Sequence, residues 1–207
     1  MLYKHPHGNV FYRNMNHPRP KIAYGQGIYL YDESGKRYID GSGGPLVINV
    51  GHGRAEIVEA MARQAQLAAY VHATMFTSEP LEAYAAALAE VTPLPEPRFY
   101  FLSSGSEVVE GAIKLARQIQ MARGEERRHV VLSRWNSYHG MTLGALAVSG
   151  RPGLRSPYLD MLHDVPHIPS PYLYRYPMTG EQLAGRLEEA IVALGAENVA
   201  AFIAEPT

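Results

Sequence analysis

Apolar and polar positions change their rhythm about half-way along the chain. Residues 22–40, IAYGQGIYLYDESGKRYID, alternate at period two with DESGK in the middle, which predicts a β-hairpin. The preceding residues 1–20 carry no period and read as an irregular arm, and residues 41–53, GSGGPLVINVGHG, read as a glycine-punctuated loop. From Ala55 the period lengthens: Ile57, Val58, Met61, Ala65 and Ala68 share one face of a predicted helix. A second helix is expected from about Pro80 to Val91, with Ser78 as N-cap, Pro80 in its first turn and TPLPEP as its stop.

Beyond residue 97 the apolar runs lose their polar alternation. RFYFL (98–102), HVVLS (129–133), part of HDVPHIP (163–169) and VAAFIAEP (199–206) are predicted strands. Helices are expected at 106–123, in a short stretch after the Gly-rich loop near 140, and at 180–194. Continuously apolar strands separated by helices predict an α/β fold with a mostly parallel sheet covered on both faces.

Composition narrows the classes. The 207 residues are 46% hydrophobic, enough for a sizeable core, and the net charge of −1 gives no electrostatic case for nucleic acid or an anionic membrane. The absence of cysteine excludes a disulfide scaffold, a zinc-thiolate site and a thiol nucleophile. No run reaches the roughly 18 apolar residues of a membrane span, and the polar first twenty residues lack a signal-peptide core. A cytoplasmic protein without a resident metal is expected.

Candidate chemistry lies at strand carboxyl ends, where open α/β sheets bind ligands. Ser103, Ser104, Gly105 and Ser106 join a predicted strand to a helix. Free N–H groups and the positive helix end there suit a phosphate, and the same serines also serve as an ordinary N-cap. Tyr138 and His139 follow the next strand and could form a stacking platform for a flat ring, or be a partly buried tyrosine beside a surface histidine. Glu205 ends the last strand, either ordering a ligand hydroxyl or simply reaching solvent.

FLSSGSEVVEGAIKLAR, YHGMTLGALAVSG and FIAEP, in this order, resemble the class III, or ω-type, pyridoxal-phosphate-dependent aminotransferases. DESGKRYIDGSGG and NVGHGRAEIVEAMARQ resemble the N-terminal part of the same family. The resemblance implies fold type I, with residues 1–72 in the small domain and 73–207 opening the large, cofactor-binding one. It implies that Ser104, Gly105 and Ser106 bind the phosphate of pyridoxal 5′-phosphate. Tyr138 would stack on its ring beside His139, and Glu205 would lie near the phenolic oxygen. Leu46 and Phe76 would line the substrate pocket, and plain packing is the alternative for both. The implied reaction moves an amino group from an amino acid or ω-amine to a 2-oxo acid, within a homodimer.

In the resembled family the Schiff-base lysine and the aspartate that pairs with the pyridine nitrogen follow the Glu-Pro strand. Neither position is reached here. The chain has four lysines, Lys4, Lys21, Lys36 and Lys114. Lys114 would lie about 12 Å along its helix from the phosphate end. The expectation is therefore an N-terminal half with no catalytic residue of its own, inactive alone, with a gap in its sheet. A phosphate-ligand-binding fragment, an inactive partner subunit, or part of a family racemase, decarboxylase or lyase remains an alternative.

Overall fold

The computed structural model describes residues 8–175 and 177–206, together with the backbone of Leu2 and Tyr3. Two compact units divide the chain, residues 1–96 and 97–207. Lys4 lies outside the described residues.

In the first unit, strands β1 (Leu2–Tyr3) and β2 (Arg19–Pro20) pair antiparallel at the two ends of the predicted irregular arm. The predicted hairpin is a three-stranded meander of β3 (Ile22–Gln26), β4 (Tyr29–Asp32) and β5 (Arg37–Ile39), in the order β3-β4-β5. An extra turn falls at Gly27, whose φ of 57° is open to glycine without strain. Tyr24 and Tyr31 face each other across β3 and β4 with rings stacked at 4.5 Å. The loop that follows contains one helical turn, α1 (Gly43–Leu46), interrupted by non-helical angles at Gly44 and Pro45. Helices α2 (Ala55–Ala68) and α3 (Glu79–Val91) complete the unit. Ser78 is the N-cap residue of α3, as expected, although its side chain makes no capping bond. The predicted apolar face of α2 is present in the sequence but uncovered: none of its residues is buried.

The second unit opens with a correction. Residues 98–102 form no strand. A strand exists through its partner's hydrogen bonds, and no strand of this unit's sheet pairs with this run. The run lies against helix α4 (Gly105–Ala122) instead, with Leu102 packed at Gly111, where a Cβ would come within 3.1 Å of Leu102 Cδ1. The sheet is β7-β6-β8, all parallel, from β6 (Val130–Arg134), β7 (His167–Ile168) and β8 (Val199–Phe202). Short helices α5 (Leu143–Val148) and α6 (Pro152–Arg155) follow β6. Helix α7 (Gly180–Leu194) starts at a capping box, with Thr179 and Gln182 bonding each other's backbone.

Among the described residues the buried apolar core is confined to this unit: Leu132 of β6, Ala145 to Val148 of α5, and Ile168 of β7. It sits directly behind the carboxyl end of β6, so the loop leaving that strand has a fixed base. Among the described residues no helix is long and apolar enough to cross a membrane.

Candidate cofactor site

Ser104 begins the site by ending an extended stretch. Its backbone is extended (φ −151°, ψ 159°), it is the N-cap of α4, and its Oγ accepts the Glu107 N–H at 3.3 Å. Glu107 reaches back so that its carboxylate accepts the Ser103 N–H at 2.9 Å. These two bonds fix the first turn. The N–H groups of the earliest helical residues, Gly105 and Ser106, have no intrahelical acceptor by geometry and point off the positive end of an 18-residue helix. At Gly105 nothing lies within 4 Å of where a Cβ would be, so the space before these N–H groups is open.

Ser106 does something else. Its hydroxyl accepts the Met141 N–H at 3.0 Å and ties the α4 end to the loop after β6. Gly140 fits there for want of a side chain: its φ is 140°, and a Cβ would fall 2.6 Å from Ser106 Oγ. Glu110, one turn on, accepts from the Gly144 and Ala145 N–H groups at 2.9 and 3.2 Å and caps α5. Helix α4 thus holds the loop at two points.

The loop itself is built on serines. Ser137 Oγ donates to the Arg134 carbonyl at 2.7 Å, and the Gly150 N–H meets the Ser137 carbonyl at 3.0 Å. Ser149 Oγ accepts the His139 N–H at 2.8 Å. Tyr138 is lifted between them with its side chain exposed, and the Arg151 guanidinium stands 5.4 Å from its ring centroid. The Tyr138 N–H donates to the Glu205 carboxylate, and Arg134 donates to the Glu205 carbonyl. Ser106, Tyr138, His139 and Glu205 are thereby linked through one network, although residues 106 and 205 lie on different elements.

His139 is half-buried. Burial pushes its pKa below the usual imidazole value, against the upward pull of Glu205, with Arg134 and His167 adding to the fall. Its Nε2 and the Nε of Arg134 are buried without a hydrogen-bond partner among the described residues. Two orphaned polar atoms beside an open helix end and an exposed aromatic face suit a polar, flat, anionic group.

Leu46 and Phe76 belong to the first unit, both well exposed. Leu46 has a left-handed backbone (φ 61°), and Phe76 lies just before α3. A groove of about 700 Å³ runs along the flank of α4 over Tyr100, Leu102, Glu107, Glu110 and Lys114 and is lined by neither Tyr138 nor Glu205. Sequence reasoning missed Arg134, Glu110, Ser137, Ser149 and Arg151. Only Ser137 and Ser149 carried a local signal, in the SYHG stretch that opens the loop and the Ser-Gly pair that closes it.

The class III aminotransferase family model matches residues 11–207. The chain belongs to this family. It is 37% identical to an uncharacterized aminotransferase of Bacillus subtilis named YodT, over 90% of this chain and 43% of that protein. It is 32% identical to a putrescine–pyruvate aminotransferase of Pseudomonas aeruginosa, over 94% and 44% respectively. The omega transaminase of Pseudomonas jessenii, solved in complex with PMP, superposes with a TM-score of 0.86 at 30% identity, over 91% of this chain and 44% of that one. A transaminase of the marine bacterium Virgibacillus gives 0.83 at 36% identity, over 90% and 42%. The fold is that of the fold type I transaminases, and the chain spans rather less than half the length of these relatives.

Proposed function

We propose that these residues form the phosphate-gripping and ring-facing part of a pyridoxal-phosphate site in an aminotransferase. The enzyme would move an amino group from an amino acid or ω-amine to a 2-oxo acid. The observation that carries this reading is the junction at Ser106, where the open N-terminus of α4 is bonded to the loop that presents Tyr138. Family membership and a neighbour solved with PMP support it.

The Gly105 and Ser106 N–H groups would hold the phosphate, with the Ser104 hydroxyl closing the helix end behind them. Tyr138 would cover one ring face, its position fixed by the bond from its N–H to Glu205. His139, its pKa lowered, would stay neutral near pH 7 and offer a hydrogen bond rather than a charge. When bound, pyridoxal phosphate supplies an electron sink for bonds at the substrate's amine-bearing carbon.

No lysine among the described residues is assigned as the cofactor's carrier. Lys114 lies nine positions beyond Gly105 in α4, about 14 Å along the axis, and Lys21 and Lys36 flank strands of the meander. Leu46 and Phe76 are assigned to the substrate pocket of a homodimer, with residues 1–72 in its small domain.

The test is ³¹P NMR of pyridoxal phosphate titrated with the protein. The resonance is expected to shift and broaden. Gly105→Glu, which sends a carboxylate into the open space, is expected to weaken binding by at least about tenfold, and Lys114→Ala is expected to leave it unchanged. An unperturbed resonance, or one indifferent to Gly105→Glu, overturns the reading.

A further inference from the structure

Asp40 and His52 bracket the loop that carries Leu46, and they are joined side chain to side chain: His52 Nε2 lies 2.8 Å from Asp40 Oδ2. Both side chains are largely withdrawn from solvent, at 23% and 14% exposure for His52 and Asp40. Each is also anchored through its backbone to the turn between β3 and β4. The Asp40 N–H donates to the Ile28 carbonyl at 2.9 Å, and His52 exchanges two bonds with Gly27 at 2.9 and 2.8 Å. The ring of His52 rests on Gly25, where any Cβ would come within 2.7 Å of it. Gly25 is therefore a seat for the imidazole.

The bond to His52 holds the Asp40 carboxyl below the usual carboxylate range, with smaller contributions from the Gly43 and Gly44 backbone N–H groups. Both glycines have positive φ, 58° and 67°. Successive N–H groups turned inward by such angles make a concave anion seat. The Val47 and Ile48 N–H groups then bond the Gly43 carbonyl at 2.9 and 3.1 Å, closing the turn. Leu46 is left with a left-handed backbone that a leucine holds only when its surroundings impose it. An open cleft of about 240 Å³ lies beside the pair, with Gly27, Asp40, Gly43, Leu46, Ile48 and His52 in its wall.

We infer that Asp40 and His52 are positioning residues: their bond, together with the backbone bonds that close the turn on the Gly43 carbonyl, locks the 41–48 loop in one conformation and so fixes where Leu46 projects. The link from Leu46 to substrate choice rests on the aminotransferase reading above, but the lock itself does not. Neither residue is proposed to touch the cofactor.

Amide hydrogen exchange on the ¹⁵N-labelled protein tests it. Asp40→Ala is expected to speed exchange at Gly43, Gly44 and Val47 by at least about tenfold, while Leu30 and Tyr38 in the β4–β5 ladder stay within about twofold. His52→Gln keeps a donor for Asp40 and is expected to restore most of the protection that His52→Ala loses. In the unaltered protein the Gly43 and Gly44 amide protons should resonate downfield, as donors to a carboxylate, and move upfield in Asp40→Asn. Unchanged exchange at Gly43 and Gly44 in Asp40→Ala overturns the inference. So does acceleration spread equally over the meander, which would make the pair a general prop. A lock that holds while ³¹P binding fails would condemn the cofactor reading and leave the positioning role standing.

Discussion

Two turns in this protein are held by opposite means. The loop from Trp135 to Gly150 in the second unit stands on apolar burial: Leu132 beneath it and its own Ala145 to Val148 are almost fully enclosed. Its polar groups answer backbone carbonyls, as Ser133 does to Val148 and Arg155 does to the end of α5. The turn from Asp32 to Lys36 in the first unit has no such base. A single carboxylate closes it, accepting from Ser34 N–H at 2.9 Å, Ser34 Oγ at 2.6 Å, Lys36 N–H at 3.0 Å and Tyr38 Oη at 2.8 Å. Apolar burial resists displacement whatever the pH. A carboxylate hub is as good as its charge. The proposed cofactor turn was built on the first kind of support, which suits a site that must keep donors aimed at a ligand while empty.

The largest effect should come from hollowing that support. Leu132→Ala removes a fully buried side chain from β6 and is expected to destabilise the second unit by about 2–5 kcal/mol. Ile39→Ala, at a position 71% exposed on β5, should cost less than about 0.5 kcal/mol. Pulse proteolysis in urea, scored for fragments of each unit, measures both. Equal losses at the two positions would erase the contrast.

A smaller effect tests the polar frame around the same core. Arg155 is 8% exposed and donates to the carbonyls of Leu146, Ala147 and Ser149 at the end of α5. Arg155→Met keeps much of the packing but removes every donor. It is expected to cost about 1–3 kcal/mol through unsatisfied acceptors. It should also speed amide exchange at His139, whose N–H is held by Ser149. A stability loss without a change at His139 would mean that the cap does not reach the site.

The parts of this fold that were legible in the sequence are those whose cause is local. The Ser104 cap, the helices over 106–123 and 180–194 and the parallel sheet all follow from neighbours within a few residues or from an unbroken apolar run. The α4 turn was legible for that reason, and so was the placing of Tyr138 and Glu205 at strand ends. What escaped was long-range. RFYFL has a strand's composition, but whether it becomes one depends on a partner strand laid beside it, which no local pattern records. The bonds from Ser106 to Met141 and from Tyr138 to Glu205 join residues 35 and 67 positions apart. The extra turn at Gly27 was missed because alternation continues through it, and only its positive φ betrays the break.

The smallest effect isolates the carboxylate hub. Four donors hold Asp32 in its ionised form. The Ser34 hydroxyl contributes most and Tyr38 next, against an opposing push from burial, and they bring its pKa from 3.8 down to about 2. The folded pKa lies below the unfolded one. The turn's stabilisation is therefore complete above pH 3.8 and is lost as pH falls from there through about 2. Direct observation of the Asp32 carboxyl carbon by ¹³C NMR should give a midpoint near 2, with the Tyr38 ring resonances moving in the same window. Asp32→Asn should abolish that movement at Tyr38. It leaves the amide oxygen to accept from Ser34 and Lys36, so the meander should persist, loosened, at neutral pH. A carboxyl that titrates at its ordinary value would mean that the four bonds do not act on the charge. The turn would then be held by its backbone alone, through the Gly35 N–H to the Asp32 carbonyl at 2.9 Å and the left-handed Gly35 that makes that bond possible.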